Sequence, residues 1–180
     1  MREFSTPLSI AIPTTGNLTD DVVANARGAG STAVFSRNAG DGWVDVTAAE
    51  FHDEVWERTG IAPERTIFGG FSMGSVMSYS LGLGADRPAP AGILAFSGFI
   101  PVVDDWQPDL AKRPAVFIAN GRQDPVMEVG FARRANELLV AGGLNVEYHE
   151  SDAAHYIDPA HVPAAIDFVG RTLVGTGTPR

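Results

Sequence analysis

The stretch Ile67-Phe68-Gly69-Gly70-Phe71-Ser72-Met73-Gly74-Ser75 lies near the centre of the 180-residue sequence. It contains Gly70-x-Ser72-x-Gly74 between a short apolar, β-prone run and a helix-compatible segment. This order is typical of a nucleophile elbow, a very sharp strand-to-helix turn that exposes a serine. The backbone on either side of that serine comes too close for a Cβ atom, so glycine is needed at both flanking positions. The alternative is a glycine-rich turn with a surface serine, and a base and an acid elsewhere in the chain decide between the two.

Composition bounds the class of protein. A length of 180 residues, 44% of them hydrophobic and 19% charged, suits one globular domain with a buried core. The formal net charge of −9 argues against a nucleic-acid or anionic-membrane partner. The absence of cysteine excludes disulfides, a thiol nucleophile and cysteine-ligated metals. Without a signal-like apolar region or a run of membrane-spanning length, we expect a cytoplasmic protein that does not insert into membranes.

Strand-like and helix-like segments alternate along the chain. The predicted strands cover residues 8–12, 32–35, 66–71, 93–96, 115–119 and 145–150. Such alternation predicts an α/β fold, a mostly parallel six-stranded sheet with helices on both faces. We find no repeat or linker, so residues 1–180 are expected to form a single domain, with residues 175–180 as a flexible tail.

Capping residues and apolar stripes predict the helices. Thr19 caps a short first helix, and the capping box at residues 47–50 starts a second helix that stops at Gly60. A third helix runs over residues 73–82. A fourth ends at residues 142–143, and a last one begins near residue 163. The residues expected to be buried by these last two helices are Phe131, Ala135, Leu138 and Leu139, then Ile166, Val169 and Leu173.

Three chemically reactive residues each follow a different predicted strand. Ser72, Asp124 and His155 should therefore meet at the carboxyl edge of the sheet, where sites of such folds form. The order Ser, Asp, His along the chain is that of the α/β-hydrolases. In this arrangement Ser72 attacks a carbonyl, His155 takes and returns the proton, and Asp124 orients the imidazole. No metal set or cofactor motif emerges from the spacing of the other residues.

Other histidines compete for the role of base. His52 lies inside the second predicted helix and is expected to face solvent, His149 lies in the sixth strand, and His161 at the foot of the last helix. His155 is favoured because the small residues before it, 152–154, leave its ring free to reach.

Other carboxylates compete for the role of acid. Asp124 follows a fully apolar strand by one short turn, which Pro125 stiffens. Asp152 is the second choice, because it would have to fold back on its own loop. The remaining candidates precede the fifth strand, and they are Asp104, Asp105 and Asp109.

Three blocks of the sequence resemble a known family. Gly70-Phe71-Ser72-Met73-Gly74, Asn120-Gly121-Arg122-Gln123-Asp124-Pro125-Val126 and Ala154-His155 are similar to the catalytic blocks of the carboxylesterase/lysophospholipase (acyl-protein thioesterase-like) branch of the α/β-hydrolases. Gly42-Trp43-Val44-Asp45 resembles the tryptophan-containing segment of that branch. The resemblance implies a short, metal-free serine hydrolase acting on carboxylic esters or thioesters, with a small-molecule ester as its partner.

The oxyanion loop departs from this family. Members usually carry a His-Gly pair after an early strand, whereas this chain has Ile12-Pro13-Thr14-Thr15-Gly16-Asn17. The backbone N–H groups of Thr14 or Thr15 could still form an oxyanion hole with that of Met73. Because loss of one donor slows such enzymes on the order of a hundredfold, a binding protein with weak or no turnover is one alternative. An acyltransferase is the other.

Substrate-binding residues are sought among large apolar side chains near the catalytic edge. The expected ones are Trp43, Phe71, Phe99, Trp106 and Met127, and the alternative for each is a place in the core. No insertion is long enough for a cap domain, so we expect an open site for small esters with short or medium acyl chains. Few residues precede the first strand, which leaves an edge that could pair in a homodimer.

Overall fold

The computed structural model describes residues 8–11, 31–34, 48–101 and 106–175, with the backbone alone for residues 8–11, 31–34, 48–51 and 174–175. The expectations for Thr14, Thr15 and Trp43, for the helix after Thr19 and for residues 176–180 lie outside these ranges.

The described strands are all parallel. They are β1 (Leu8–Ala11), β2 (Ser31–Val34), β3 (Ile67–Phe71), β4 (Gly92–Phe96), β5 (Ala115–Gly121) and β6 (Val146–Ser151). β1 pairs with β2, and the other four form a sheet in the order β3-β4-β5-β6. β1 runs beside β3, although the described hydrogen bonds divide the strands into two sheets. The parallel α/β arrangement is confirmed, whereas the strands are seen as two sheets of two and four rather than as one of six.

Helices cover both faces of the four-stranded sheet. They are α1 (Ala48–Thr59), α2 (Met73–Leu83), α3 (Val129–Ala141) and α4 (Val162–Gly175). Side chains of β5 alternate between the two faces, as a strand requires. Val116 and Ile118 join a core cluster with α2 and α3. Phe117 joins the opposite cluster, which includes Phe168 of α4. The strands are therefore apolar on both sides, which is typical of a covered parallel sheet.

Three predictions of burial are wrong. Leu138 and Ile166 are 42% and 65% exposed, because α3 and α4 turn neighbouring positions of their apolar stripes toward the sheet. His52 is only 4% exposed, and its ring meets the ring of Phe68 edge-on at a centroid distance of 4.7 Å. Its imidazole has aromatic faces, so α1 uses it as a packing residue against β3.

The strand register aligns the carboxyl ends of β3, β4, β5 and β6. Phe71 pairs with Phe96, Phe96 with Ala119, and Gly121 with Ser151. The residues that follow each strand therefore lie along one edge of the sheet. This edge holds the candidate site.

Candidate active site

The turn between β3 and α2 has the geometry of a nucleophile elbow. Ser72 has φ 56° and ψ −120°, a conformation that residues with a side chain rarely adopt. A Cβ atom at Gly70 would lie 2.2 Å from the carbonyl carbon of Gly74, so the turn can close only with glycine there. The Ser72 N–H donates to the carbonyl of Phe96 over 2.9 Å, which ties the elbow to β4.

Neither a capping side chain nor an acidic side chain occupies the N-terminal end of α2. Met73 is the first residue of the helix, and the first turn carries no acidic side chain to compete with an anion. The Ser72 side chain does not cap the helix, so its hydroxyl remains available. The Ser75 hydroxyl lies 2.7 Å from the carbonyl of Gly70 and 2.6 Å from that of Phe96, which fixes this turn from inside. The helix dipole therefore points at the space beside Ser72.

Asp124 and His155 form a hydrogen-bonded pair. Asp124 Oδ2 lies 2.8 Å from His155 Nδ1, and the carboxylate is fully buried while the imidazole is 23% exposed. Asp124 Oδ1 accepts the backbone N–H groups of Val126 at 2.9 Å and Met127 at 2.8 Å. Burial raises the pKa of Asp124, but the hydrogen bonds from His155, Met127, Val126 and Ser97 outweigh it and the pKa falls below its usual value. The acid is therefore held ionised beside the imidazole.

The His155 ring also packs on the nucleophile strand. Its centroid lies 4.6 Å from that of Phe71, the residue immediately before Ser72. The imidazole therefore contacts both the buried acid and the residue that precedes Ser72, and it is partly open to solvent.

Backbone contacts join the loop that carries the acid to the loop that carries the histidine. In the acid loop (residues 122–128), the N–H of Arg122 donates to Ser151 O over 2.7 Å and that of Gln123 to Ala153 O over 3.1 Å. A Cβ atom at Gly121 would lie 2.0 Å from Ala153 O, so only glycine permits this approach to the histidine loop (residues 152–158). The spacing of the Asp–His pair is thus set by main-chain groups.

The competing histidines and acids have other partners. His149 Nε2 lies 2.9 Å from Glu147 Oε1, and its ring lies 5.6 Å from that of His161. Asp152, the second choice for the acid, is 74% exposed and pairs with Arg122 at 2.8 Å. Asp109 caps a short 3₁₀ helix by accepting the N–H of Ala111. Asp104 and Asp105 lie outside the described residues. Of these candidates, Asp124 and His155 are the ones that the structure brings together.

The expected substrate-binding residues fall into different places. Phe71 lies on the imidazole, and Met127 holds Asp124 through its N–H group. Phe99 packs on Phe131 at a ring-centroid distance of 5.5 Å. Trp106 packs on the core cluster beside Gly84, just beyond the C-terminal end of α2. Because α2 is about 16 Å long, the structure does not bring Trp106 to Ser72.

Sequence analysis missed two polar residues of this edge. Ser97 follows β4 with a left-handed backbone, φ 48°, and its side chain hydrogen-bonds to Asp124. Asn120 lies in the carboxyl end of β5 and donates to the carbonyl of Met127 over 3.0 Å. Both are at most 2% exposed. The sequence marks both residues in one way: each is a polar residue that directly follows an apolar run.

The described residues hold neither a group of metal ligands nor a membrane-spanning helix. In the ranges given above, no three His, Asp or Glu side chains are grouped as metal ligands would be. None of the described helices combines the length and apolar character that crossing a bilayer requires.

Curated proteins with similar sequences include acyl-protein thioesterases and a lysophospholipase-like protein. Acyl-protein thioesterase 1 of Neurospora crassa is 30% identical over 126 residues, covering 66% of this chain and 51% of the relative. Lysophospholipase-like protein 1 of Mus musculus is 29% identical over 113 residues, covering 61% of this chain and 46% of the relative. The chain thus spans about half the length of these curated relatives.

Solved structures show the same fold. The Bacillus cereus carboxylesterase superposes with a TM-score of 0.69 at 20% identity, over 94% of this chain and 90% of that one. Esterase PE8 superposes with a TM-score of 0.68 at 22% identity, over 93% of each chain.

A family profile covers most of the sequence. Residues 44–173 match the phospholipase/carboxylesterase family, a range that includes the elbow, the acid and the histidine. Together with the fold, this match assigns the chain to a family. It belongs to the phospholipase/carboxylesterase family of the α/β-hydrolases.

Proposed function

We propose that this protein is a serine carboxylesterase that works through Ser72, His155 and Asp124. The observation that carries the proposal is the 2.8 Å contact between Asp124 Oδ2 and His155 Nδ1, with the ring of His155 resting on Phe71 beside the elbow. A half-buried serine at a sharp turn, an imidazole open on one side and a buried carboxylate are the three groups that acyl transfer requires.

The proposed reaction has two halves. Ser72 Oγ attacks the ester carbonyl while His155 Nε2 takes the hydroxyl proton, and Asp124 stabilises the imidazolium that forms. His155 then gives the proton to the leaving alcohol as the C–O bond breaks, which leaves an acyl-enzyme on Ser72. Water repeats the attack, His155 takes its proton, and Ser72 leaves with that proton as the carboxylic acid is released. The N–H of Met73 stabilises the oxyanion in both halves, with Thr14 or Thr15 as the proposed second donor.

The proposed substrates are small esters with short or medium acyl chains, bound beside Phe71, Phe99, Met127 and Trp43. Thioesters are the second class to test, because relatives are named acyl-protein thioesterases. Trp106 is left out of this set, since its contacts are with the core.

The proposal extends to the sheet and to the whole molecule. We propose that β1 and β2 extend the four-stranded sheet into one of six strands, since β1 runs beside β3. A single domain over residues 1–180, the lack of a cap domain, a cytoplasmic location, a homodimer and a lack of nucleic-acid binding remain predictions of the sequence.

A fluorophosphonate probe tests the proposal without knowledge of the substrate. The native chain should be labelled, and labelling should vanish in Ser72→Ala and in His155→Ala. Asp124→Asn should slow labelling by about 10⁴-fold, because the imidazole then takes the wrong tautomer. Ser80→Ala, on the same helix as the elbow, and His149→Gln serve as matched controls and should label like the native chain.

Four results would count against the proposal or a part of it. An unlabelled native chain would favour the binding-protein alternative, and labelling that persists in Ser72→Ala would place the nucleophile elsewhere. A series of nitrophenyl esters with best turnover on long acyl chains would contradict the proposed substrate size. Ester product on addition of an alcohol acceptor would favour the acyltransferase.

A further inference from the structure

Asn120 is a buried amide close to the catalytic pair. It lies in β5, is 1% exposed, and belongs to a run that is otherwise apolar up to this point. Burying an amide costs free energy unless its groups are hydrogen-bonded. Its Nδ2 donates to two backbone carbonyls, that of Gly121 at 3.0 Å and that of Met127 at 3.0 Å. The amide therefore links the end of β5 to the acid loop at Met127.

The second contact falls on a residue that also serves Asp124. Met127 receives the Asn120 hydrogen bond on its carbonyl, and its own N–H donates to Asp124 Oδ1 over 2.8 Å. A hydrogen bond from Asn120 thus fixes the position of one of the two backbone donors that hold the carboxylate. The other oxygen of that carboxylate holds His155 Nδ1 at 2.8 Å.

These contacts form one connected series from the sheet to the imidazole. The series starts at a residue of β5, a strand that is paired with β4 on one side and with β6 on the other. It passes through Met127 and Asp124 and ends at His155. Without the amide, nothing else among the described side-chain contacts ties Met127 O to β5.

We infer that Asn120 is a positioning residue for the acid: its amide closes the acid loop on Met127 so that Asp124 keeps the orientation that His155 needs. The inference deepens the proposed serine hydrolase function and rests on it. An asparagine suits the task because both acceptors are carbonyls and an NH₂ group supplies two donors. An aspartate of the same shape would place an acceptor against both.

Asn120→Ala and Asn120→Thr test this assignment. Threonine keeps the volume and suits a strand, but its hydroxyl stands one bond nearer the backbone and cannot span the loop. We expect each variant to be acylated by the fluorophosphonate about tenfold more slowly than the native chain. With a nitrophenyl ester that the native chain hydrolyses, kcat should fall by a similar factor and KM should change little. Asn145→Ala, an exposed asparagine at the opposite end of the sheet, is the matched control and should match the native rates.

A double-mutant cycle separates positioning from general support of the fold. In an Asp124→Ala background the acid is gone, so Asn120→Thr should cause no further slowing of acylation. The carboxyl ¹³C resonance of Asp124 gives a readout that needs no activity: its titration midpoint should rise in both Asn120 variants as the Met127 donor loosens.

The outcomes separate the two hypotheses. If the Asn120 variants acylate like Asn145→Ala, or slow the Asp124→Ala background as much as the native one, the positioning role is wrong. If the native chain is not acylated at all, the proposed function is wrong, and the Asp124 titration alone then judges Asn120: an unmoved midpoint overturns the inference and a raised one supports it. Folding of each variant is checked by circular dichroism, and the volume-matched threonine decides if alanine unfolds.

Discussion

Ser97 is under two opposing demands. Its backbone has φ 48°, in the left-handed region that costs a residue with a Cβ atom about 1 kcal/mol. Glycine would adopt it freely. Its hydroxyl, however, is one of the groups that stabilise the Asp124 carboxylate. Strain of this kind persists where the surrounding structure requires it, and here the N–H of Ser97 is held by the carbonyl of Ala119 at 2.9 Å.

Ser97→Gly and Ser97→Ala separate these demands. Both variants lose the hydroxyl, and only alanine keeps the strain. We expect Ser97→Gly to be more stable to urea than Ser97→Ala by about 1 kcal/mol, while both are acylated more slowly than the native chain to the same degree. Equal stability of the two variants would mean that the left-handed backbone carries no cost. If both variants are acylated at the native rate, the Ser97 hydroxyl does not support Asp124.

The sequence predicts candidates for the reactive residues but not the buried residues that support them. A glycine motif marks the position of Ser72 in the sequence, and the ends of predicted strands mark those of Asp124 and His155. Ser97 and Asn120 could not be assigned, since a positive φ at serine and a bond from Asn120 to a loop carbonyl arise only once β4 and β5 are in register. The order of residues shows chemical type, whereas the partners of a buried polar group depend on the packed fold.

At the level of elements, β6 is tied to its neighbours by ion pairs. Glu150 on this strand accepts from Arg133 of α3 at 2.7 and 2.8 Å and from the Tyr148 hydroxyl at 2.5 Å. Its side chain is 15% exposed. The hydrogen bonds from Arg133, more than offsetting burial and aided by Tyr148 and Arg122, lower the pKa of Glu150 from 4.5 to about 2. The free energy of unfolding therefore contains a pH-dependent contribution from this strand.

Glu150→Gln is expected to remove that contribution. A carboxylate with a depressed pKa in the folded state stabilises it fully above pH 4.5, and the effect is lost as the pH falls to about 2. The native chain should exceed Glu150→Gln in stability by about 1 kcal/mol at pH 7, since Arg133 is half-exposed, and the difference should shrink toward pH 2. Urea unfolding at several pH values measures it. Glu57→Gln, exposed on α1, is the control, and an equal effect there would contradict the assignment.

Element boundaries were predictable and burial within helices was less so. The predicted starts and ends of β3 to β6 lie within two residues of the observed ones, because glycine, proline and polar residues flank apolar runs. Helices α3 and α4 are amphipathic, but a helix stripe is wide enough to include Leu138 and Ile166 beside the residues that are truly buried. Their exposure depends on how each helix is rotated on the sheet. That rotation is set by packing against β5 and its neighbours.

For the molecule as a whole, the core is divided by the sheet into two clusters. The cluster under α4 contains Phe96, Phe117 and Phe168, and Phe117 is fully buried. The rings of Phe117 and Phe168 lie 5.7 Å apart at their centroids. Since β4 and β5 end at the catalytic edge, loss of packing in this cluster should affect the stability of the site and the sheet together.

Phe168→Ala and Ile166→Ala contrast a buried and an exposed residue of the same helix. We expect Phe168→Ala to lower the free energy of unfolding by about 3–5 kcal/mol, through lost burial and the cavity that remains. Ile166→Ala, at a position 65% exposed, should change it by less than about 0.5 kcal/mol. Urea unfolding followed by tryptophan fluorescence gives both values. A large loss of stability in Ile166→Ala would mean that α4 buries Ile166, as the sequence predicted.

The fold class followed from the sequence, whereas the pairing of strands did not. Alternating strands and helices favour a parallel sheet by the handedness of their connections. The order β3-β4-β5-β6 and the separate pairing of β1 with β2 depend on contacts between distant segments. Residues such as Ile93 and Val116 are equally apolar, so their chemical type does not show which strands lie next to theirs.

Main-chain hydrogen bonds hold Arg122 against the end of β6 and Gln123 against the histidine loop, and the Arg122 side chain adds one exposed ion pair with Asp152. The side chains of Gln123, Pro125 and Val126 are exposed. The main-chain hydrogen bonds that set the distance between the two loops do not involve them. The rim of the site can therefore accumulate substitutions while the acid and the imidazole stay in place. New specificities could evolve, or be selected in a library, at these positions without rebuilding the chemistry beneath them.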